Sequence, residues 1–228
     1  PVDEVHFMRK IVIDGSNTGG FQRTALVATK GYMDLNGKRF GIATICLEED
    51  AARKLTEHSH EVTYRLDRLG IPLVEMATDP DMSSPEEARA VAARLGALLR
   101  TTKKVRRGIG TIREDLNISI SGGARVEIKG AQDLRLLPVY IEEEVKRQLA
   151  LLEVKDLLRR RGAKKVPLEV EDLTPLLRGT SCKVLRSAVE AGGRILAVKL
   201  PKYAGTVGRT EQGVKRLGTW MAAHARVG

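Results

Sequence analysis

The stretch YRLDRLGIPLVEMATDPDMSSPEEA, residues 64–88, decides the fold class, because two kinds of structural signal meet inside it. Residues 71–77 are β-branched and apolar, follow a glycine and lead into an Asp-Pro turn, so they read as a strand. At Ser84, Pro85, Glu86 and Glu87 the requirements of a helix start appear in order: a hydroxyl cap, a proline in the first helical position and negative charge at the positive end of the helix dipole. Ala88, Val91, Ala92, Leu95, Leu98 and Leu99 then recur at helical spacing, which predicts a helix to about Leu99.

Working outward, residues 10–13 and 41–47 read as further strands. Between them DGSNTGGFQRT, residues 14–24, reads as a turn or mobile loop; it holds no GxxxxGK[ST] pattern and so no P-loop. Downstream, residues 111–120 and 125–129 form a second strand pair about the turn Ser121, Gly122 and Gly123. The longest helix is predicted from Pro138 to about Arg161, stopping at Gly162. Residues 166–170 and 194–200 look like strands of a second, basic unit. The order is α+β, a mixed or antiparallel sheet with helices, and not alternating βαβ.

Charge supports a division after residue 153. The chain of 228 residues has a net charge of +10, yet residues 1–153 carry 23 basic and 23 acidic side chains while residues 154–228 carry 16 and 6. The anionic partner implied by the excess therefore belongs to the last third, and nucleic acid is the first suspect. With 3 Phe, 4 Tyr and 1 Trp there is little to build a base-stacking sheet. Cys46 and Cys182 are too few for a disulfide framework or a four-thiolate zinc site, and fit a reducing compartment. No run of about 18 apolar residues predicts a membrane span. The start at Pro1, with no Met, is read as an internal fragment or processed product.

Chemistry-bearing residues gather in three places. LEEDAARK, residues 47–54, puts Glu48 and Asp50 on one side of a strand and Glu49 on the other. Glu75 sits among Leu73, Val74, Met76 and Ala77, where a carboxylate is costly to bury without a cation or Arg. If the two strands adjoin, Glu48 and Glu75 share a face and supply the hard oxygens that suit magnesium; solvated or Arg-paired acids fit the same pattern. In TIREDLNISISGGARVEIKG, residues 111–130, Arg113, Asp115, Asn117 and Ser119 alternate with apolar residues, and Arg125, Glu127 and Lys129 repeat the period on the facing strand. Such a polar face would hold a phosphate and its metal, or be the wet side of an ordinary sheet. His58 and His60 read as surface residues, His6 is isolated and Cys46 reads as a core thiol. The cations of residues 103–108 and 159–165 fit phosphate contact or solvated helix ends.

These segments, with KIVIDGSNTGGFQRT at residues 10–24, resemble in colinear order the catalytic-domain motifs of the archaeal-type E subunits of glutamyl-tRNA(Gln) amidotransferase. The bacterial-type B subunits are more distant relatives. The resemblance implies a cradle related to the glutamine synthetase catalytic fold, occupying residues 1–162, with residues 163–228 leading into an insertion domain. It implies an ATP- and Mg2+-dependent ligase of the cytoplasm, which phosphorylates the glutamate side chain of misacylated glutamyl-tRNA(Gln) and lets ammonia displace the phosphate.

Carried onto this sequence, the resemblance makes Glu48 and Glu75 magnesium ligands, with Glu49 and Asp115 holding the metal directly or from one layer out. Arg113, Arg125 and Lys129 would face phosphate or the glutamyl carboxylate, and Tyr64, Arg65 and Asp67 would support the site. The implied partners are an asparaginase-like D subunit that supplies ammonia, the tRNA, and a second copy within a heterotetramer. The family's first strand, with its Glu-Ile-His motif, and its tRNA-gripping tail are expected outside this sequence, so the chain alone is expected to be inactive. A non-catalytic tRNA-binding scaffold and a metal-dependent hydrolase are the competing readings.

Overall fold

Asn36 and Gly37 form the turn around which the largest sheet is built. Both have positive φ, 52° and 78°, as a two-residue hairpin loop of type I′ requires. The computed structural model describes residues 1–9, 23–58, 60–108, 110–166, 169–208 and 217–225. The predicted strand at residues 10–13 and most of the predicted loop at 14–24 lie outside them. The chain divides into two compact units, Pro1–Thr111 and Ile112–Gly228.

In the first unit the strands are β1 (Phe7–Arg9), β2 (Arg23–Leu35), β3 (Lys38–Glu49), β4 (Arg53–His58), β5 (Glu61–Arg65) and β6 (Pro72–Thr78). Four of them form an antiparallel sheet in the order β1-β2-β3-β6, while β4 and β5 make a separate two-stranded ribbon. The sheet is larger than its sequence signal. β2 was not foreseen, Arg23 and Thr24 belong to it and not to a loop, and β3 extends beyond residues 41–47 at both ends. β2 escapes pattern reading because Lys30 and Gly31 interrupt its apolar alternation, Lys30 with φ of 55°, and because the pairing with β3 shifts between Leu26 and Ala28.

Helix α1 (Pro85–Thr101) begins as its sequence dictates. The Ser84 hydroxyl accepts the Glu87 N–H at 3.1 Å, and Pro85 opens the first turn. The Glu87 carboxylate accepts the Ser83 N–H at 2.7 Å and both its oxygens take the Lys38 ammonium at 2.9 Å. These partners, the Ser83 amide foremost, hold its pKa down to about 2. The same ion pair ties the helix start to the β2–β3 turn, and beneath it Met33, Phe40 and Val91 are buried against Leu35, Met82 and Leu95. Burying a side chain the size of Phe40 contributes about 1.5–3 kcal/mol.

The second unit contains β7 (Leu116–Ile118), β8 (Val126–Ile128), α2 (Leu137–Arg160), β9 (Val170–Asp172), α3 (Thr174–Leu177), α4 (Lys183–Glu190), β10 (Leu196–Val198) and α5 (Leu217–Ala225). Antiparallel pairing joins β7 to β8 and β9 to β10. Both hairpin strands are shorter than predicted, and residues 111–115 lie outside β7. The predicted strand at 194–200 shortens to β10, while the one at 166–170 is displaced: β9 shares only Val170 with it and runs on to Asp172, and residues 167 and 168 lie outside the described residues. α2 stops where expected: Gly162, with φ of 64°, donates to the Arg159 carbonyl at 2.9 Å, and Ala163 donates to Leu158 at 2.9 Å. This paired closure is the glycine-terminated helix end that the sequence announced. Among the described residues no helix is long and apolar enough to cross a membrane.

Candidate active site

The residues singled out from the sequence fall into both units, and each set is described within its own.

In the first unit the decisive fact is register. Cys46 pairs with Glu75 and Glu48 pairs with Leu73 across the β3–β6 ladder, with no irregularity between them. Directly paired residues of an antiparallel ladder share a face, as do residues two apart on one strand. Glu48 and Glu75 are therefore diagonal neighbours on one face, at the typical separation of about 7–8 Å between backbones that long side chains bridge. Burial divides them. Glu48 is 7% exposed, whereas Glu75 is exposed, so the expected cost of a buried carboxylate falls on Glu48. The described residues gather no group of three or more His, Cys, Asp or Glu around a metal position, so this face offers a carboxylate pair. A buried and an exposed carboxylate side by side fit magnesium, which takes one or two protein carboxylates and fills the remaining positions with phosphate and water.

Glu49 does not join this pair. It projects from the other face and is gripped by Arg23, Nε to Oε2 at 2.9 Å and Nη2 to Oε1 at 2.5 Å. That hydrogen bond lowers its pKa. Asp50, also 7% exposed, accepts Nε of Arg68 at 2.8 Å and Nη2 at 2.7 Å on the same Oδ2. Its backbone N–H donates to Ile71 at 2.7 Å and its carbonyl accepts the Gly70 N–H at 3.1 Å. The end of β3 is thereby fastened to the turn that launches β6, which fixes Glu48 relative to Glu75. Arg68 was not singled out from the sequence; its place beside an acidic strand end, one residue after Asp67, was the available signal.

Tyr64 and Arg65 lie at the end of β5, opposite Lys54 and Arg53 on the two-stranded ribbon. Being consecutive in a strand, they point to opposite faces. Both are exposed, as is Asp67. His58 and His60 are exposed, in keeping with a surface role, and Ser59 between them lies outside the described residues. Cys46, expected in the core, is half-buried on the Glu75 face.

In the second unit Asn117 and Glu127 face each other across β7–β8, and Lys129 reaches back to Glu127 at 3.1 Å. The Asp115 carboxylate accepts the Gly130 N–H at 2.8 Å, and the Glu114 carbonyl accepts the Ala131 N–H at 3.0 Å. The polar edge predicted for this hairpin thus exists around Asp115, Asn117, Glu127 and Lys129. Arg113 and Arg125, both exposed, lie outside the two strands. Glu114 differs from its neighbours: burial, and then the charge of Asp115, push its carboxyl up to about 7.

The hairpin turn is held by a residue the sequence did not mark. Gln148 of α2 is 4% exposed. Its Oε1 accepts the Ala124 N–H at 3.2 Å, and its Nε2 donates to Glu144 at 2.8 Å and to the Ile118 carbonyl at 3.4 Å. Glu144, 7% exposed, is forked by Arg147 at 2.6 and 2.7 Å, and Arg147 lies over the Trp220 ring at 5.7 Å. A side chain at Gly123 would collide with Gln148 and Ile120, which is why the turn carries glycine there.

Against this geometry the comparisons are specific. The sequence model described as the GatB/GatE catalytic domain matches residues 1–212. The chain belongs to this family. Curated relatives that carry the name of the E subunit of glutamyl-tRNA(Gln) amidotransferase are 54% identical in Pyrococcus abyssi and 56% identical in Thermococcus gammatolerans, each over 228 residues. A third, in Aeropyrum pernix, is 54% identical over 228 residues. Each alignment covers 99% of this chain and 36% of the relative, so the chain spans about a third of the length of the curated relatives it matches. The motif resemblance to the archaeal-type E subunits holds, as does the α+β class of the family domain.

Proposed function

We propose that the chain carries the phosphorylating centre of a tRNA-dependent amidotransferase. Its substrates are ATP and tRNA(Gln) misacylated with glutamate. The γ-phosphoryl group of ATP passes to an oxygen of the glutamyl side-chain carboxylate, giving an acyl phosphate and ADP. Ammonia then attacks that carbonyl carbon, inorganic phosphate leaves with its electron pair, and glutaminyl-tRNA(Gln) remains. Carboxylates are poor electrophiles at neutral pH, so the reaction needs a leaving group, and catalysis of its transfer is mainly positioning and charge neutralisation. The carrying observation is the shared face of Glu48 and Glu75 within a chain of this family.

Glu48 and Glu75 would hold magnesium, which when bound neutralises phosphate charge. Asp50 and Arg68 tie the end of β3 to the turn before β6, which would hold the strand that carries Glu48 in register with the one that carries Glu75. Asp115, fixed by the Gly130 amide, sets the hairpin edge from which Lys129, Arg125 and Arg113 would meet phosphate or the glutamyl carboxylate. Tyr64, Arg65 and Asp67 would support the site from β5 and the following turn. Glu49 supports β3 through Arg23.

The kinship of this cradle to glutamine synthetase, a cytoplasmic location and the division of labour between residues 1–162 and 163–228 belong to the same reading. So do an asparaginase-like D subunit as ammonia source and a second copy within a heterotetramer. Activity is assigned to the full protein, and the 228-residue chain alone is expected to be inactive. The test is glutaminyl-tRNA formation by the full-length protein with an ammonium salt as nitrogen donor, with and without ATP. Product only with ATP is expected; product without ATP would point to hydrolase-type chemistry, and no ATP turnover to a scaffold.

A further inference from the structure

Arg161 caps the C-terminus of α2, and its Nη1 donates to two backbone carbonyls, Lys202 at 3.1 Å and Ala204 at 2.7 Å. The segment it reaches, residues 200–206, is closed by its own bonds. The Tyr203 N–H donates to Leu200 at 3.3 Å, and the Tyr203 carbonyl accepts both the N–H of Thr206 at 3.0 Å and its hydroxyl at 2.7 Å. Thr206 is 1% exposed and anchors the segment, while Lys202 is exposed with φ of 73°. Arg161 therefore clasps a shaped loop to the end of the helix.

Six exposed cations surround this clasp in sequence: Arg159, Arg160, Lys164 and Lys165 at the helix end, Lys199 and Lys202 on the loop side. Among the described residues none of the six forms an ion pair or a side-chain hydrogen bond. The pairs that do form nearby, Arg186 with Glu190 at 4.0 Å and Arg194 with Asp172 at 3.9 Å, use other cations. Asp156 is the one acid between Val154 and Val166. A helix C-terminus offers about half a negative charge, far too little to neutralise such a cluster. Exposed, unpaired cations are what a phosphate backbone requires, since each neutralised phosphate releases counterions.

We propose that the C-terminal turn of α2 and the 200–206 loop form one surface that grips the phosphate backbone of the RNA substrate. Lys202 and the helix-end cations make the contacts, and Arg161 is a positioning residue whose guanidinium is spent on holding the loop. The proposal rests on the reading that tRNA is the substrate and adds where, and through which cations, it is held.

The experiment is a salt titration of tRNA-transcript binding to the full-length protein, with polyglutamate and anionic vesicles as alternative probes. Thermal melting checks that each variant is folded. Lys202→Asn suits the left-handed backbone and should lower the slope of log affinity against log salt by about 1. Its KM for tRNA should rise several-fold. Arg161→Lys keeps the charge but loses the planar Nη1 that serves both loop carbonyls, so it should reproduce the Lys202→Asn slope, and the double variant should lose nothing more. Wild-type binding by Lys202→Asn, in an enzyme that still amidates tRNA, would overturn the surface and leave the function standing. Wild-type slope in Arg161→Lys would overturn the positioning role. Equal affinity for polyglutamate or vesicles would overturn RNA as the partner. RNA effects as expected in a protein that never amidates would overturn the function and not the surface.

Discussion

Glu75 stands directly across the β3–β6 ladder from Cys46, two residues before Glu48 on the same strand, so the two carboxylates share one face of the sheet. The relationship depends on the fastening of Asp50 by Arg68. Arg68→Met removes that fork from a carboxylate that is 7% exposed. Loss of a charged hydrogen-bond partner of this kind costs about 1–3 kcal/mol, so denaturant unfolding should show a lower midpoint with an unchanged slope. Amidation should fall as well, because the end of β3 carries Glu48.

Gln148 makes a second fastening testable. Gln148→Ala leaves the half-buried Ala124 N–H and the buried Ile118 carbonyl without their side-chain partner. The expected loss is about 1–3 kcal/mol. Gly123→Ala should destabilise by a similar ~1–3 kcal/mol through overpacking against Gln148 and Ile120. In the double variant the two losses should not add, since both act on one contact. Urea unfolding of the four proteins reads this cycle.

The fold was legible where local chemistry sets it. The Ser84-Pro85-Glu86-Glu87 start of α1 and the Gly162 stop of α2 are written in adjacent residues, and both stand as expected. Side-chain alternation likewise foretold that Glu48 and Glu49 part company. It could not give the register that places Glu75 opposite Cys46, because the β3–β6 pairing slips between Ile42 and Thr44 and a one-residue slip reverses every face. The Asn36-Gly37 turn was a readable signal for β2 that strand composition alone concealed. Arg68 acts on Asp50, 18 residues away, and Gln148 on Ala124, 24 residues away, pairings that only the folded chain brings together.

Two carboxyls predict opposite responses to pH. Glu114 has its folded pKa raised to about 7 from 4.5, so the folded state binds the proton more tightly. The native state is then penalised as pH rises from 4.5 to 7, fully so above that. Glu114→Gln should be more stable than wild type at pH 8 by about 1–2 kcal/mol, after allowance for solvent screening. The difference should shrink toward pH 5.

Glu87 has its folded pKa lowered to about 2, so its stabilising contribution is present above 4.5 and lost as pH falls from there toward 2. Glu87→Gln should flatten the acid limb of the melting-temperature profile. An acid limb that keeps its wild-type steepness in this variant would show that the Ser83 and Lys38 contacts do not set it.

In the proposed function Glu48 and Glu75 form the phosphoryl-transfer face and Glu49 does not. The direct measurement is single-turnover ADP formation by the full-length protein with glutamyl-tRNA(Gln), comparing Glu48→Gln, Glu75→Gln and Glu49→Gln. Losses of about 100-fold or more are expected in the first two, or ~2.7 kcal/mol of barrier, with Glu49→Gln within a few-fold of wild type. Wild-type rates in Glu48→Gln and Glu75→Gln, or an equal loss in Glu49→Gln, would contradict it.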